Sequence, residues 1–151
     1  MTSEINYAHH TPIQIRFNDI DILGHVNNSV YQNYFDLART HYFQKIFPEA
    51  IDWKTHTLVL AKLCIDFLHP VTLDESIEVE TKIIKMGNKS ITMVQRVINA
   101  NGDVKAINEG VLVSFHAGEG QPVQIPEEWR RAIASFEKDV DFTKDQATHR
   151  E

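Results

Sequence analysis

Apolar and polar residues alternate from Thr11 to Asn18. Ile13, Ile15 and Phe17 fall on one face, Gln14 and Arg16 on the other. A period of two predicts a strand over 11–18. The period then changes. From Ser29 to Phe47 the apolar residues recur at spacings of three and four, among them Tyr31, Tyr34, Phe35, Ala38, Tyr42 and Phe43. This predicts a helix roughly 28 Å long, at about 1.5 Å per residue, buried over much of its circumference. Ser29 is the expected cap, Gln32 three residues on completes a capping box, and Pro48 is the expected stop.

The remainder reads as strands. Residues 57–68 form a long apolar run ended by His69-Pro70. In residues 76–86, Ile77, Val79, Thr81 and Ile83 alternate with Glu78, Glu80 and Lys82. The stretch "MGNKS" predicts a turn at Met86–Ser90, followed by a strand over 90–99. Asn101-Gly102 is a hairpin signal, and residues 103–116 return. A short helix is predicted over Pro126–Phe136, and a polar, disordered tail from Lys138. One long helix and about five antiparallel strands sharing one core make an α+β protein. Its economical form is a sheet wrapped around the helix. The expected organisation is one domain over 1–137 and a tail over 138–151.

Composition narrows the function. The chain has 151 residues, 42% hydrophobic and 24% charged, the profile of a soluble globular domain. A net charge of −6 argues against a nucleic-acid binder, which needs a basic excess. No apolar run approaches the ~18 residues of a membrane span. "MTSEINYAHH" lacks the charged and apolar regions of a signal peptide. The chain reads as cytoplasmic, so the two N-x-S sequons carry no glycosylation. The single Cys64 sits in "LVLAKLCIDFL", where a buried structural thiol is expected. His9-His10 lacks a third ligand and is not read as a metal site. Ser114 and Ser135 have no G-x-S-x-G surroundings, so a serine-hydrolase elbow is absent.

The chemistry concentrates in "DIDILGHVNNSVYQNYFDLAR", Asp19–Arg39. Turn and cap residues are ordinary before a helix, but these are more numerous than one cap requires. They precede a helix N-terminus, whose unpaired N–H groups and positive dipole end suit developing negative charge. The carbonyl oxygen of an ester or thioester under attack is one site of such charge. A carboxylate just upstream is a candidate nucleophile or general base. Gly24 would let backbone approach a ligand closely.

The stretch "RFNDIDILGHVNNSVYQNYFDLAR" resembles the hotdog-fold thioesterases, specifically the 4-hydroxybenzoyl-CoA thioesterase-like acyl-CoA thioesterases. The likeness covers roughly residues 10–117, including "IDFLHPVTLDESIEVETKIIKMGNKSITMVQRVIN". It implies a long helix wrapped by an antiparallel sheet, assembled as a homodimer or homotetramer with active sites at the subunit interface. It implies hydrolysis of an acyl-CoA or acyl-carrier-protein thioester, without a cofactor or metal. The motif's second aspartate, Asp21, carries the chemistry as nucleophile or general base. A backbone N–H near Asn28 polarises the carbonyl. Gly24, His25 and Val26 shape the pocket, and Tyr31 is a candidate for lining it. In the related plant acyl-carrier-protein thioesterases a histidine stands where His25 does, with an asparagine two residues earlier. Leu23 replaces that asparagine here. His25 is thus a candidate for orienting Asp21 or water, or a structural loop histidine.

Asp19 is expected on the face opposite Asp21, in a structural role. Asn27 is expected to hold the loop by side-chain-to-backbone bonds. Lys85, Lys89 and Ser90 flank the "MGNKS" turn, which by resemblance lies near the pantetheine or nucleotide end of CoA. Lysines there would meet phosphates as point charges. Two alternatives stand beside the acyl-CoA thioesterase: a thioesterase acting on acyl carrier protein, and a non-catalytic acyl-thioester binder. A hotdog dehydratase is disfavoured, because its Gly-His-Phe-Pro context is missing.

Overall fold

The computed structural model describes residues 5–47 and 54–143. Pro48, the expected helix stop, lies outside them, as do residues 144–151 of the expected tail. The elements are β1 (His9–Ile13), α1 (Tyr31–Ile46), β2 (His56–Phe67), β3 (Ile77–Met86), β4 (Ser90–Asn99) and β5 (Val104–His116), then a short β6 (Gln121–Pro122) and α2 (Glu127–Phe136). The strands form one antiparallel sheet in the order β1-β3-β4-β5-β2, with β6 added on β5. The expected α+β class, with one long helix and five main strands, is what forms. β3, β4 and β5 succeed one another through the two expected turns. Gly87 N–H donates to Ser90 O at 2.8 Å, and Gly102, at φ +83°, donates to Asn99 O at 3.0 Å. Asn-Gly chemistry suits the second turn because glycine takes positive φ without a steric cost.

The chain clusters into two compact units. The first comprises Met1–Tyr42, Ile65–Lys82 and Gln95–Asn108. Its core contains Tyr31, Tyr34, Phe35 and Ala38 of α1, with Val26, Val71, Val79 and Val97. Inside it, Gln95 donates to Phe35 O (3.0 Å) and to Thr81 Oγ1 (3.2 Å), and accepts from Asn108 Nδ2 (3.2 Å). Those bonds offset the cost of burying an amide. The second unit comprises Phe43–Cys64, Ile83–Val94 and Glu109–Glu151. There Phe43 stacks on Phe47 at 5.5 Å, and Phe47 lies 5.3 Å from Trp129.

Three expectations are corrected. The first strand ends at Ile13 rather than Asn18. Asp19 accepts the Arg16 N–H at 3.0 Å, and the chain turns through a 3-10 segment, Phe17–Asp19. A short acidic side chain competes here with the sheet ladder, and Phe17 is left 82% exposed. The cap is Asn27, not Ser29, and it caps a 3-10 turn, Asn28–Val30, that leads into α1. Asn27 Oδ1 accepts from Ser29 N (3.0 Å) and Ser29 Oγ (2.9 Å), so the serine hydroxyl is already consumed. The alternation of β3 does not separate a buried from an open face: Glu80 and Lys82 are buried along with Val79, Thr81 and Ile83. Cys64 is exposed. Its strand, β2, ends the sheet order, and its apolar run is consequently open at Val59 and Phe67. Of the tail expected from Lys138, residues up to Thr143 are described. Phe142 is buried, and Val140 N–H bonds Glu137 O at 3.1 Å.

Candidate active site

The first unit holds the Asp19–Val26 loop. Its backbone closes on itself: Asp21 N donates to His25 O at 2.9 Å, and Gly24 N to Asp21 O at 3.0 Å. Gly24 sits at φ +80°, which an L side chain rarely adopts. Ile20 and Val26 form an isolated antiparallel bridge. Asn27 N–H donates to Asp19 O at 2.8 Å, and Val26 N–H to Val71 O at 2.8 Å. The second bond brings the segment after β2 against the loop.

The two aspartates are used differently. Asp19 Oδ2 accepts from Arg16 N and, at 2.6 Å, from the Tyr34 hydroxyl. Burial, reinforced by the Asp19 carboxylate, pushes that hydroxyl far above the usual tyrosine range. Asp19 is thus a fastener between loop and helix, as expected. Asp21 Oδ1 accepts from Leu23 N (2.9 Å) and His25 N (3.4 Å). Its Oδ2 has no hydrogen-bond partner among the described residues.

A cleft of about 430 Å³ opens beside this carboxylate, within the usual size range of small-molecule sites. One wall is the loop and helix start: Asp21, Leu23, His25, Val26, Asn27, Asn28 and Tyr31. The other is the end of β2 and its continuation, Phe67, Leu68, His69 and Pro70. Tyr31 meets Phe67 edge-on at 5.1 Å. Burial raises the Tyr31 pKa, with Glu75 adding to the shift. The opposite wall is held from below. Lys105 O accepts from Leu68 N (2.9 Å) and His69 N (3.1 Å), and Lys105 Nζ reaches Glu75 at 2.9 Å. Among the described residues, neither the Asn28 N–H nor the His25 imidazole has a protein hydrogen-bond partner.

Of the sequence candidates, Asp21, His25, Val26, Asn27, Asn28 and Tyr31 come together in the cleft. Gly24 is not among its lining residues; its work is the turn. Lys85, Lys89 and Ser90 belong to the second unit and do not line the cleft. Sequence reading missed Phe67, Leu68, His69 and Pro70. The His69-Pro70 break marks the end of a strand, but only the Val26–Val71 bond places that end against the loop.

Residues 15–133 match the family model of the thioesterase-like superfamily. The chain is 25% identical over 132 residues to the acyl-CoA thioester hydrolase YbgC of Escherichia coli, covering 84% of this chain and 94% of YbgC. A thioesterase of Thermus thermophilus, solved with coenzyme A and Zn, is 34% identical at a TM-score of 0.78, over 87% of this chain and 96% of that one. The PA5185 protein of Pseudomonas aeruginosa is 28% identical at a TM-score of 0.77, over 89% and 95%. Sheet order, the long helix and a match over most of the chain agree: this protein belongs to the thioesterase-like superfamily, a thioester hydrolase on the hotdog fold.

Proposed function

We propose that the protein hydrolyses an acyl-CoA to the free acid and CoA in the cleft at the start of α1, with Asp21 as the reacting carboxylate. The observation that carries this reading is the half-used aspartate. Two backbone amides hold Oδ1, and Oδ2 is left for chemistry in a cleft that also holds the first turn of the long helix. The reaction needs two things: a group that delivers oxygen to the carbonyl carbon, and donors for the charge that appears on the carbonyl oxygen. Asp21 supplies the first, either by taking a proton from attacking water or by adding directly to give a mixed anhydride, which water then hydrolyses to the free acid and the restored carboxylate. The Asn28 N–H, at the positive end of the helix, supplies the second. Collapse of the adduct then expels the CoA thiolate. In this reading the His25 imidazole, which lines the cleft, orients the water. Val26, Tyr31 and Phe67 offer apolar surface to the acyl group, and Asn27 fixes the helix start. The names of YbgC and of the Thermus complex support CoA as the thiol carrier.

The same reading includes a homodimer or homotetramer. β2 ends the sheet order and carries exposed Val59, Cys64 and Phe67. An apolar edge strand of this kind invites pairing with a second copy.

The test is thiol release from short, medium, long and aromatic acyl-CoAs, with Asp21→Asn beside the wild type. Turnover that disappears in a folded Asp21→Asn variant is expected. Full activity in that variant would remove Asp21 from the mechanism. Binding without turnover across the panel and an acylated carrier protein would make the protein a thioester binder. After a single turnover in ¹⁸O water, label in the Asp21 carboxylate would establish direct addition, with water opening the anhydride at the aspartyl carbonyl.

A further inference from the structure

Outside the cleft, the first unit brings a histidine of β1 to two glutamates of β3 almost seventy residues away. His9 and His10 are neighbours on β1, so they point to opposite faces of the sheet. His9 meets the Tyr42 ring at 5.3 Å. His10 turns the other way, opposite Glu80 in the β1–β3 register. Its Nδ1 lies 3.0 Å from Glu78 Oε1 and 3.8 Å from Glu80 Oε1. Its Nε2 lies 3.1 Å from the Tyr7 carbonyl oxygen.

Both ring nitrogens therefore face acceptors. A neutral imidazole has one N–H and one lone pair. With Nε2–H donated to Tyr7 O, the Nδ1 lone pair points at two carboxylates. A proton on Nδ1, donated to Glu78 at 3.0 Å, satisfies that arrangement, and a metal ion that displaces the proton would meet the same three donors, which lie together. A carbonyl fixing the far nitrogen is the usual second-shell support of a metal-bound histidine. The donor spacing also fits. Bonds of 2.0–2.2 Å around a tetrahedral zinc set donor atoms about 3.3–3.6 Å apart; here Nδ1 lies 3.0 and 3.8 Å from the two carboxylates and all three donors lie within 4.8 Å of one another, so modest side-chain shifts reach that span. Glu80 is already positioned, because its other oxygen is paired with the Arg96 guanidinium. Arg96 is itself laid over the Tyr7 ring at 4.6 Å. A cavity of about 430 Å³, lined by Asn6, Tyr7, His10, Glu80 and Arg96, adjoins the cluster and has room for a water ligand.

We propose that His10 Nδ1, Glu78 and Glu80 form a binding site for one divalent transition metal of the zinc class, which clamps β1 to β3. One nitrogen and two carboxylate oxygens suit zinc better than magnesium, which prefers an octahedral shell of oxygens. The proposal is independent of the thioesterase chemistry.

The experiment is calorimetric titration of the full, tag-free chain with ZnCl₂, repeated on His10→Ala and Glu78→Gln. Visible absorption with CoCl₂ serves as a second readout. The expected result is one site in the wild type, weakened at least about 10-fold in each variant, with the cobalt spectrum changed in both. This is the scale seen when even an outer-shell partner is removed. MgCl₂ is expected not to compete. Absence of zinc binding in the wild type, or an unchanged Kd in His10→Ala, would overturn the proposal. If His10→Ala does not fold, Glu78→Gln decides: its side chain is 38% exposed, and unchanged zinc affinity there would overturn it equally.

Discussion

Two polar, glycine-containing turns stand out in the sequence, and the fold uses them in opposite ways. In the loop before α1, several groups are left unspent: Asp21 Oδ2, the His25 imidazole and the Asn28 N–H have no partner among the described residues. In the Gly87–Ser90 turn, the backbone groups are consumed. Arg130 donates to Gly87 O and Asn88 O, Ile125 N–H to Asn88 O, and Ser114 N–H to Lys89 O. Polar residues in a turn are evidence of architecture until their hydrogen bonds are counted. A site is a turn whose groups the fold has positioned but not satisfied.

Substitutions in the two turns should therefore separate activity from stability. The largest effect is expected from Asp21→Asn: a loss of kcat/KM on the order of 10²-fold or more, with the thermal midpoint close to wild type. A midpoint that falls with activity would make Asp21 a structural residue and erase the contrast. Arg130→Ala should behave in reverse. Leaving the buried Gly87 carbonyl without this donor should cost about 1–3 kcal/mol, read by urea unfolding, with kcat unchanged. Asn27→Ala tests a residue that belongs to both categories. Loss of the helix cap should cost about 1 kcal/mol. KM should rise as well, because the loop it holds forms one wall of the cleft.

The smallest effect concerns the opposite wall. Burial acts to raise the Glu75 pKa. The Lys105 ion pair and hydrogen bonds from Thr72 and Asn99 outweigh it, and the carboxyl lies below its ordinary value. A depressed folded pKa contributes stability that is present above the unfolded value, about 4.3, and lost as pH falls through the folded one. Glu75→Gln should therefore unfold earlier than wild type at pH 7, and the gap should close below about pH 4. A gap that persists in acid would show that packing, not charge, holds the segment under Phe67–Pro70.

How far the site was legible depended on distance along the chain. Asp21, His25, Asn27 and Asn28 lie within eight residues of one another, beside a helix start that periodicity alone marks. The other wall is about forty residues away. His69 and Pro70 announce the end of a strand, and nothing local tells that the end folds onto the loop. The misread positions have the same origin. Cys64 looked buried because its run is apolar, but burial depends on how many strands flank it, and β2 ends the sheet order. Ser29 looked like the cap because the motif is local; Asn27, two residues earlier, captured the same hydroxyl and amide.

The sequence by itself determined the features that arise between neighbours along the chain. The helix comes from its three-and-four periodicity, the strands from alternation, the hairpin from Asn101-Gly102 and the candidate loop from its motif. These are set by backbone sterics and local side-chain chemistry, which act over a few residues. Only the tertiary structure decided which polar groups were spent and which were left free. It also turned His10 toward Glu78 and Glu80, and closed the cleft with Phe67, Leu68, His69 and Pro70. Those outcomes depend on strand order and register, where residues as distant in the chain as His10 and Glu78 become neighbours through backbone hydrogen bonds that no local pattern encodes.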